Sequence, residues 1–245
     1  MLNRFLQERE LIGEGRRAKV YRWNGFAYKC FEKDHPQAWM DWEYQVNTII
    51  HEAGIPCAAY YPSEFSNSLK MELISGVPLF DRMLAAGEMQ IPEIYYSLLE
   101  QIHSVHGLAL PHMAANLRQE LAAMEFAPAV KEKALRLLQS FSDGDALCHM
   151  DFHGYNILCT QDGYRVIDWV TAQSGDPILD YARTYVLHYE VDKRLAEEFA
   201  ENVYRRFGVS KKDMQKAVYI MALKRQTDFH NEKCLELLEY LESRV

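Results

Sequence analysis

The hydrophobic pattern of this chain changes period at Ser75-Gly76, and that change restricts it to a mixed architecture. Before the break, apolar residues come in short runs bounded by turn signals. Leu11-Ile12 enters a Gly13-Glu14-Gly15 turn. Ala18–Trp23 and Phe26–Phe31 then flank Asn24-Gly25, two residues that tolerate positive φ and so favour a tight hairpin. A helix is predicted over 36–53, where Trp39, Trp42, Val46, Ile49 and Ile50 recur at helical spacing until Gly54 and Pro56 stop it. Two further strands are predicted near 58–61 and 69–74. After the break the spacing becomes helical. Pro92 suits a first turn, with Ile94, Leu98, Leu99, Ile102 and Val105 as a buried stripe ending at His106-Gly107. Two more helices are predicted across 113–140, and others from Pro177 onward, one opened by a Ser210-x-x-Asp213 cap. A short β-rich insert at 157–168 turns at Asp162-Gly163. The expected fold class is α+β. A small antiparallel β lobe with one helix occupies 1–74, and a larger, mainly helical lobe occupies 75–245.

Composition excludes several alternatives. At 245 residues the chain can form one large domain or two small lobes. No apolar run approaches the roughly 18 residues a membrane span needs, so no membrane partner is expected. Met1-Leu2-Asn3-Arg4-Phe5 runs into charged residues, and no signal peptide is read there. The five cysteines (Cys30, Cys57, Cys148, Cys159, Cys234) are scattered without a Cys-x-x-Cys pair, which points to a reducing cytoplasm. The net charge of −8 is localised: residues 62–185 carry sixteen acids against eight bases, whereas 1–61 and 186–245 are balanced. No basic stripe exists, which argues against nucleic acid. The acidic middle is weak support for a cationic or metal-bound partner, and on charge alone a solvated acidic surface is the better account.

The chemistry concentrates in Cys148-His149-Met150-Asp151-Phe152-His153-Gly154-Tyr155-Asn156-Ile157-Leu158. Twelve residues beyond Asn156, Asp168 ends the hydrophobic run Val166-Ile167, where a carboxylate is costly unless paired or metal-bound. His-x-Asp-x4-Asn followed by a strand-end Asp is the arrangement kinase-type phosphoryl transfer uses. One Asp accepts the acceptor hydroxyl's proton, while the Asn and the later Asp offer hard oxygen ligands to Mg2+. Two distant features should accompany it. A lysine should follow the glycine-rich hairpin on a strand, and Lys29 does. A glutamate should lie on the next helix to fix that lysine, and Glu43 does. Gly13-x-Gly15-x-x-Ala18-x-Val20 would bring backbone N–H groups over phosphates, with Arg16, Arg17 and Lys19 adding positive charge.

These motifs resemble the aminoglycoside phosphotransferase and choline kinase-like family, small-molecule kinases sharing the protein-kinase fold. His149 to Leu158 is similar to the family's H-G-D-L-H-P-G-N-I-L, Val166-Ile167-Asp168-Trp169 to V-I-D-W, and Gly175-Asp176-Pro177-x-x-Asp180-Tyr181-Ala182 to G-D-P-x-x-D-L-A. The likeness spans roughly 10–190. It implies a bilobal fold, Asp151 as catalytic base, Asn156 and Asp168 as Mg2+ ligands, and Lys29 as a ligand of ATP phosphates. It also implies adenine against the backbone of Glu72 to Ile74, with Met71 behind it, and Asp180 bonded to catalytic-loop N–H groups. Met150 stands where the family has glycine, and Gly154-Tyr155 where it has Pro-Gly. The interval between the catalytic-lobe helices is short for an aminoglycoside-modifying member.

The expected activity is ATP- and Mg2+-dependent transfer to a hydroxyl of a small molecule, with a cationic metabolite among the acceptors considered. Three alternatives stand beside it: a non-catalytic kinase-fold nucleotide binder, a protein kinase, and a metal-dependent hydrolase using His149, Asp151 and His153. His149 reads as an orienting residue, His103 as a satisfied core histidine, and His106 as a helix C-terminal partner. Tyr181, Tyr185, His188, Tyr189 and Glu190 fall where the family builds its acceptor site; Tyr181 and Tyr185, four apart, could equally be packing a helix.

Overall fold

The computed structural model describes residues 1–15, 17–88 and 90–245. In chain order its elements begin with α1 (Leu2–Glu8), β1 (Glu10–Glu14), β2 (Ala18–Trp23), β3 (Phe26–Phe31), α2 (Gln37–Glu52), β4 (Tyr60–Tyr61), β5 (Ser68–Glu72) and β6 (Val77–Pro78). They continue with α3 (Leu79–Ala86), α4 (Glu93–His103), α5 (Met113–Ala123), α6 (Pro128–Leu138), β7 (Ala146–Cys148), β8 (Ile157–Thr160), β9 (Gly163–Val166) and β10 (Gln173–Gly175). Four helices follow: α7 (Pro177–Val191), α8 (Lys193–Phe207), α9 (Lys211–Asp228) and α10 (Glu232–Glu242). Contacts group the chain into two units, one of Met1–Arg82 with Gly154–Val170, the other of Met83–His153 with Thr171–Val245. The first unit therefore takes in more than the 1–74 stretch read from the sequence, because β6 pairs with β8 and draws the later hairpin into it.

The first unit is built on an antiparallel sheet of order β1-β2-β3-β5-β4. Asn24 and Gly25 both take positive φ (50° and 79°), which closes β2 onto β3 with Trp23 opposite Phe26. Strand alternation then sorts the side chains. Tyr21, Trp23, Phe26, Tyr28 and Cys30 join Phe5 and Phe65 in an aromatic cluster, in which the Phe5 and Phe65 rings stack at 4.4 Å. Phe5 comes from α1, a helix the sequence did not announce because its seven residues carry a single buried side chain. Lys29 has the opposite parity to that cluster. On α2 the buried positions Met40, Glu43, Val46, Asn47 and Ile50 recur at helical spacing, so a carboxylate sits within an apolar stripe.

The second sheet of this unit, β6-β8-β9, closes around Gly163. Gly154 opens the turn before β8, and there a Cβ would overlap the ring of Phe80. That ring is itself buried and set edge-on to Tyr155. Gly154→Ala is therefore expected to lower stability by about 1–3 kcal/mol, read by denaturant titration. A wild-type midpoint would mean that the ring moves aside freely.

The second unit is mainly helical, with β7 and β10 forming a two-stranded antiparallel pair too short to leave a sequence signal. α7 is buried at eleven of its fifteen positions and packs on α8 and α9; α10 packs on α9. The Ser210 cap forms as expected, its Oγ accepting from Asp213 N at 3.0 Å. α4 begins one residue after Pro92 and stops at His103, short of the expected Val105. The Val105 carbonyl accepts instead from Leu147 N of β7. His106 accordingly lies off the helix, its Nδ1 2.8 Å from Asp145 rather than at a helix end. Among the described residues no helix is long and apolar enough to cross a membrane.

Candidate functional site

The predicted site residues fall into two groups, one in each unit. In the first unit Lys29, on the central strand β3, reaches two carboxylates: Nζ lies 2.8 Å from Glu43 Oε1 and 3.1 Å from Asp168 Oδ1. Glu43 is 4% exposed, and the same Oε1 also accepts from Tyr60 O–H at 3.1 Å. Burial works to deprotonate Lys29, but the charges of Asp168 and Glu43 outweigh it and raise its pKa, so the ammonium persists. Burial and the same two carboxylates push the Tyr60 phenol well up.

Asn156 and Asp168 are brought together by the hairpin between them. Ile157 pairs with Val166 and Thr160 with Gly163, so the twelve-residue spacing is a two-strand excursion that returns to its start. Ile167 N donates to Asn156 O at 2.9 Å across the open end. Asp168 takes positive φ (64°), a conformation that costs a non-glycine residue about 1 kcal/mol or more. Asn156 is buried, while the Asp168 carboxylate remains 41% exposed. An amide carbonyl and a carboxylate are hard oxygen donors of the type Mg2+ takes.

Gly13 faces Val20 across β1 and β2, and Gly15 N donates to Ala18 O at 2.9 Å, forming the expected hairpin. Of the three cations expected there, Arg16 lies outside the described residues. Arg17 sits over the Trp39 ring at 5.0 Å, and Lys19 pairs with Glu14 at 2.9 Å. Glu72 ends β5. Its N–H donates to Ala59 O, and its side chain accepts from Ala59 N. Ile74 lies two residues beyond the strand, and Met71 pairs with Ala27 and Tyr60 within the sheet.

In the second unit Asp180 organises the loop that carries Asp151. It is fully buried on α7, and its two carboxylate oxygens accept from His149 N (2.9 Å) and Met150 N (2.8 Å). His103 Nε2 lies 2.9 Å from the same carboxylate, and His103 Nδ1 lies 3.1 Å from Tyr181 O–H. Burial pushes Asp180 up, but the His103 hydrogen bond and charge, with the loop N–H groups, hold it below the ordinary carboxylate value. Met150 takes positive φ (65°), which explains the glycine usual at this position of the resembled motif. Here the strained peptide is fixed on both sides, since Met150 O accepts from Arg183 Nε at 3.2 Å. Asp151 N donates to His149 Nδ1 at 3.2 Å, so that ring nitrogen serves the loop.

The Asp151 carboxylate is held down to about 2. Burial opposes this, and the His153 hydrogen bond and charge, followed by His149 and Arg183, outweigh it. His153 Nε2 lies 3.6 Å from Asp151 Oδ2. Arg225, paired with Glu190 through two bonds of 2.5 and 2.6 Å, also feels the Asp151 charge. The sequence reading missed both arginines. Arg183 could have been found as a cation inside the buried stripe of α7, but nothing in the sequence links Arg225 to Glu190, thirty-five positions away.

The neighbouring residues of α7 are engaged in packing. The Tyr181 ring stacks on Phe207 at 4.8 Å, and Tyr185 stacks on Tyr189. His188 Nε2 meets Tyr95 O–H at 3.0 Å, and burial, then the charge of His153, drives its pKa down to about 3. Among the described residues one trio of ligand-type side chains converges within 4.8 Å, and it is His103, Cys148 and Asp180. Two of those three already bond each other, and burial raises the Cys148 thiol far above its ordinary value. His149, Asp151 and His153 form no such trio.

The sequence pattern of the phosphotransferase enzyme family matches residues 8–216. A thiamine kinase of Salmonella heidelberg (strain SL476) is 42% identical over 52 residues, which is 21% of this chain and 19% of that protein. The match thus spans about a fifth of the curated relative's length. Among solved structures, choline kinase LicA from Streptococcus pneumoniae superposes with a TM-score of 0.64 at 16% identity, covering 98% of this chain and 94% of that one. A thermostable mutant of aminoglycoside phosphotransferase APH(4)-Ia, solved with ADP and hygromycin B, gives 0.65 at 13% identity, covering 97% and 91%. At these identities the structural likeness is one of fold, α+β with a small antiparallel sheet and a larger helical part. The family pattern spans most of the chain, and on that ground the chain belongs to the phosphotransferase enzyme family.

Proposed function

We propose that the protein is a cytoplasmic ATP- and Mg2+-dependent kinase that transfers the γ-phosphoryl group to a hydroxyl of a small molecule. One observation carries the reading: a partly buried Lys29 held by the buried Glu43 and by Asp168, with Asp168 returned beside Asn156 by a hairpin. Buried ion pairs contribute little net stability because desolvation offsets the Coulombic gain, so a function is the better account of this one.

In this proposal the Lys29 ammonium holds the α- and β-phosphates, and the β1–β2 hairpin at Gly13 and Gly15 covers them. The backbone from Glu72 to Ile74 meets the adenine, and Glu43 keeps Lys29 in place. Asn156 and Asp168 would hold Mg2+, which when bound neutralises phosphate charge and aligns the transferred group. Asp151 stays ionised at any physiological pH and accepts a hydrogen bond from the acceptor hydroxyl. As the acceptor oxygen bonds to the γ-phosphorus and ADP leaves, that proton passes to the Asp151 carboxylate. A carboxylate with a pKa of about 2 is a weak base, which suits a loose transition state needing orientation more than proton abstraction. The relatives named for thiamine and choline, and the one solved with hygromycin B, support a small hydroxyl-bearing acceptor. The acid excess of residues 62–185 favours one of cationic character.

Mg·ATP at about a hundredfold over its Kd is expected to stabilise the protein by about 2.7 kcal/mol. For a chain of this length that is a rise of roughly 5–10 °C in a thermal-shift titration. The metal-dependent part of the rise should vanish in Asp168→Asn. Acceptors are then screened by ADP release. No shift at millimolar nucleotide would overturn the proposal, and a shift without transfer to any acceptor would favour a non-catalytic nucleotide binder.

A further inference from the structure

A cavity lies in the helical unit, on a face of α7 that the candidate site does not use. Asp180, Thr184 and His188 of α7 bond His149, Met150, Phe152 and Tyr95. Tyr185 and Tyr189 project about 120° further round the helix. There they line a cavity of about 160 Å³ with Tyr204 of α8 and Tyr240 of α10. Its apolar lining includes the buried Met214, Val218 and Leu237.

The lining has a definite electrostatic character. The rings of Tyr185 and Tyr189 stack at 6.1 Å, and Tyr240 is half exposed at the edge. Three carboxylates and two lysines complete the cavity. Lys193 lies 3.9 Å from Glu197, so Lys211 is the cation left in the lining for Glu201 and for Glu236, which accepts a hydrogen bond from the Tyr189 phenol. Aromatic faces are the negative parts of their rings, so rings and carboxylates together favour a cation. Burial, then the charges of Glu197 and the neighbouring tyrosines, raises the Tyr185 phenol, which therefore stays neutral. The volume is below the roughly 300 Å³ at which drug-sized pockets begin, so the occupant is small.

We propose that this cavity binds a small organic ammonium ion, its methyl or methylene groups against the four tyrosine rings and its charge toward Glu201 and Glu236. The cavity lies on a face of α7 other than the one that bonds the Asp151 loop, so Tyr185 and Tyr189 serve it rather than the acceptor at Asp151, and the proposal does not depend on the kinase reading.

The test uses the full chain labelled with 3-fluorotyrosine, with 19F resonances assigned by single Tyr→Phe replacements among the 15 tyrosines. The probe is tetramethylammonium chloride, which has no hydroxyl to be phosphorylated; tert-butanol is its neutral counterpart and sodium chloride the ionic-strength control. Saturable shifts at Tyr185, Tyr189, Tyr204 and Tyr240 are expected with the ammonium alone. Tyr240→Ala and Glu236→Gln, both at exposed positions, should each weaken binding by about three- to tenfold. Equal shifts with tert-butanol would overturn the proposal. So would shifts confined to tyrosines elsewhere, such as Tyr95 or Tyr155, or none that saturate.

Discussion

Asp151→Asn is expected to lower kcat by about 10²- to 10⁴-fold while nucleotide affinity and the nucleotide-dependent thermal shift change little. The substitution keeps size and shape and removes one property, the ability of the side chain to accept the hydroxyl proton. Asp151 N donates to His149 Nδ1, and the loop is anchored through His149 and Met150, so the backbone does not depend on the carboxylate. Lys29, Glu43, Asn156 and Asp168 belong to the other unit, and their mutual contacts are untouched. The pH profile gives an independent reading. The Asp151 carboxyl lies near 2, so its protonation contributes no acid limb to kcat above pH of about 4. The combined signature is a loss in kcat with the nucleotide shift retained. A variant turning over within a few-fold of wild type would remove Asp151 from the reaction.

Much of the first unit was legible because its chemistry is written in short spacings. Asn24-Gly25 announced the hairpin and thereby the strand of Lys29. Glu43 was found as the glutamate expected on the helix after the lysine strand, and the interval from Asn156 to Asp168 encoded a hairpin. What escaped had no local pattern. Phe5 belongs to a short helix whose single buried ring completes a cluster formed by distant strands. β7 and β10 are three residues each, and no period can be read from three residues. Arg225 reaches Glu190 across thirty-five positions of chain, and its influence on Asp151 exists only after α7 and α9 have packed. The left-handed Met150 is instructive in another way. Sequence comparison marked it as a departure from glycine, and the structure shows what lets a side chain stay there: its N–H is bonded to Asp180 and its carbonyl to Arg183.

That dependence leads to the second large effect. Asp180→Ala is expected to destabilise the helical unit by about 3–5 kcal/mol, the range for breaking a buried charged network by removing one partner. Two buried N–H groups, those of His149 and Met150, lose their acceptor at once, and His103 loses its partner. Asp180→Asn keeps one side-chain oxygen as an acceptor and should fall between alanine and wild type. The melting temperature of the alanine variant should drop by roughly 10 °C. Its kcat should fall as well, because the loop would no longer be held with Met150 at positive φ. The effect has a sign in pH. Asp180 titrates below the ordinary carboxylate value of 3.8 when folded, so its contribution is fully present above that value. It is lost as pH falls through the folded pKa. Chemical denaturation of wild type and Asp180→Ala should therefore differ most near neutrality, and the gap should narrow as pH drops below about 4. A gap that stayed constant down to acid pH would mean that the charge of Asp180 contributes nothing and that only its shape matters. A gap below about 1 kcal/mol at neutral pH would mean that water replaces the carboxylate at the loop, and Asp180 would then not be the residue that holds Asp151 in position.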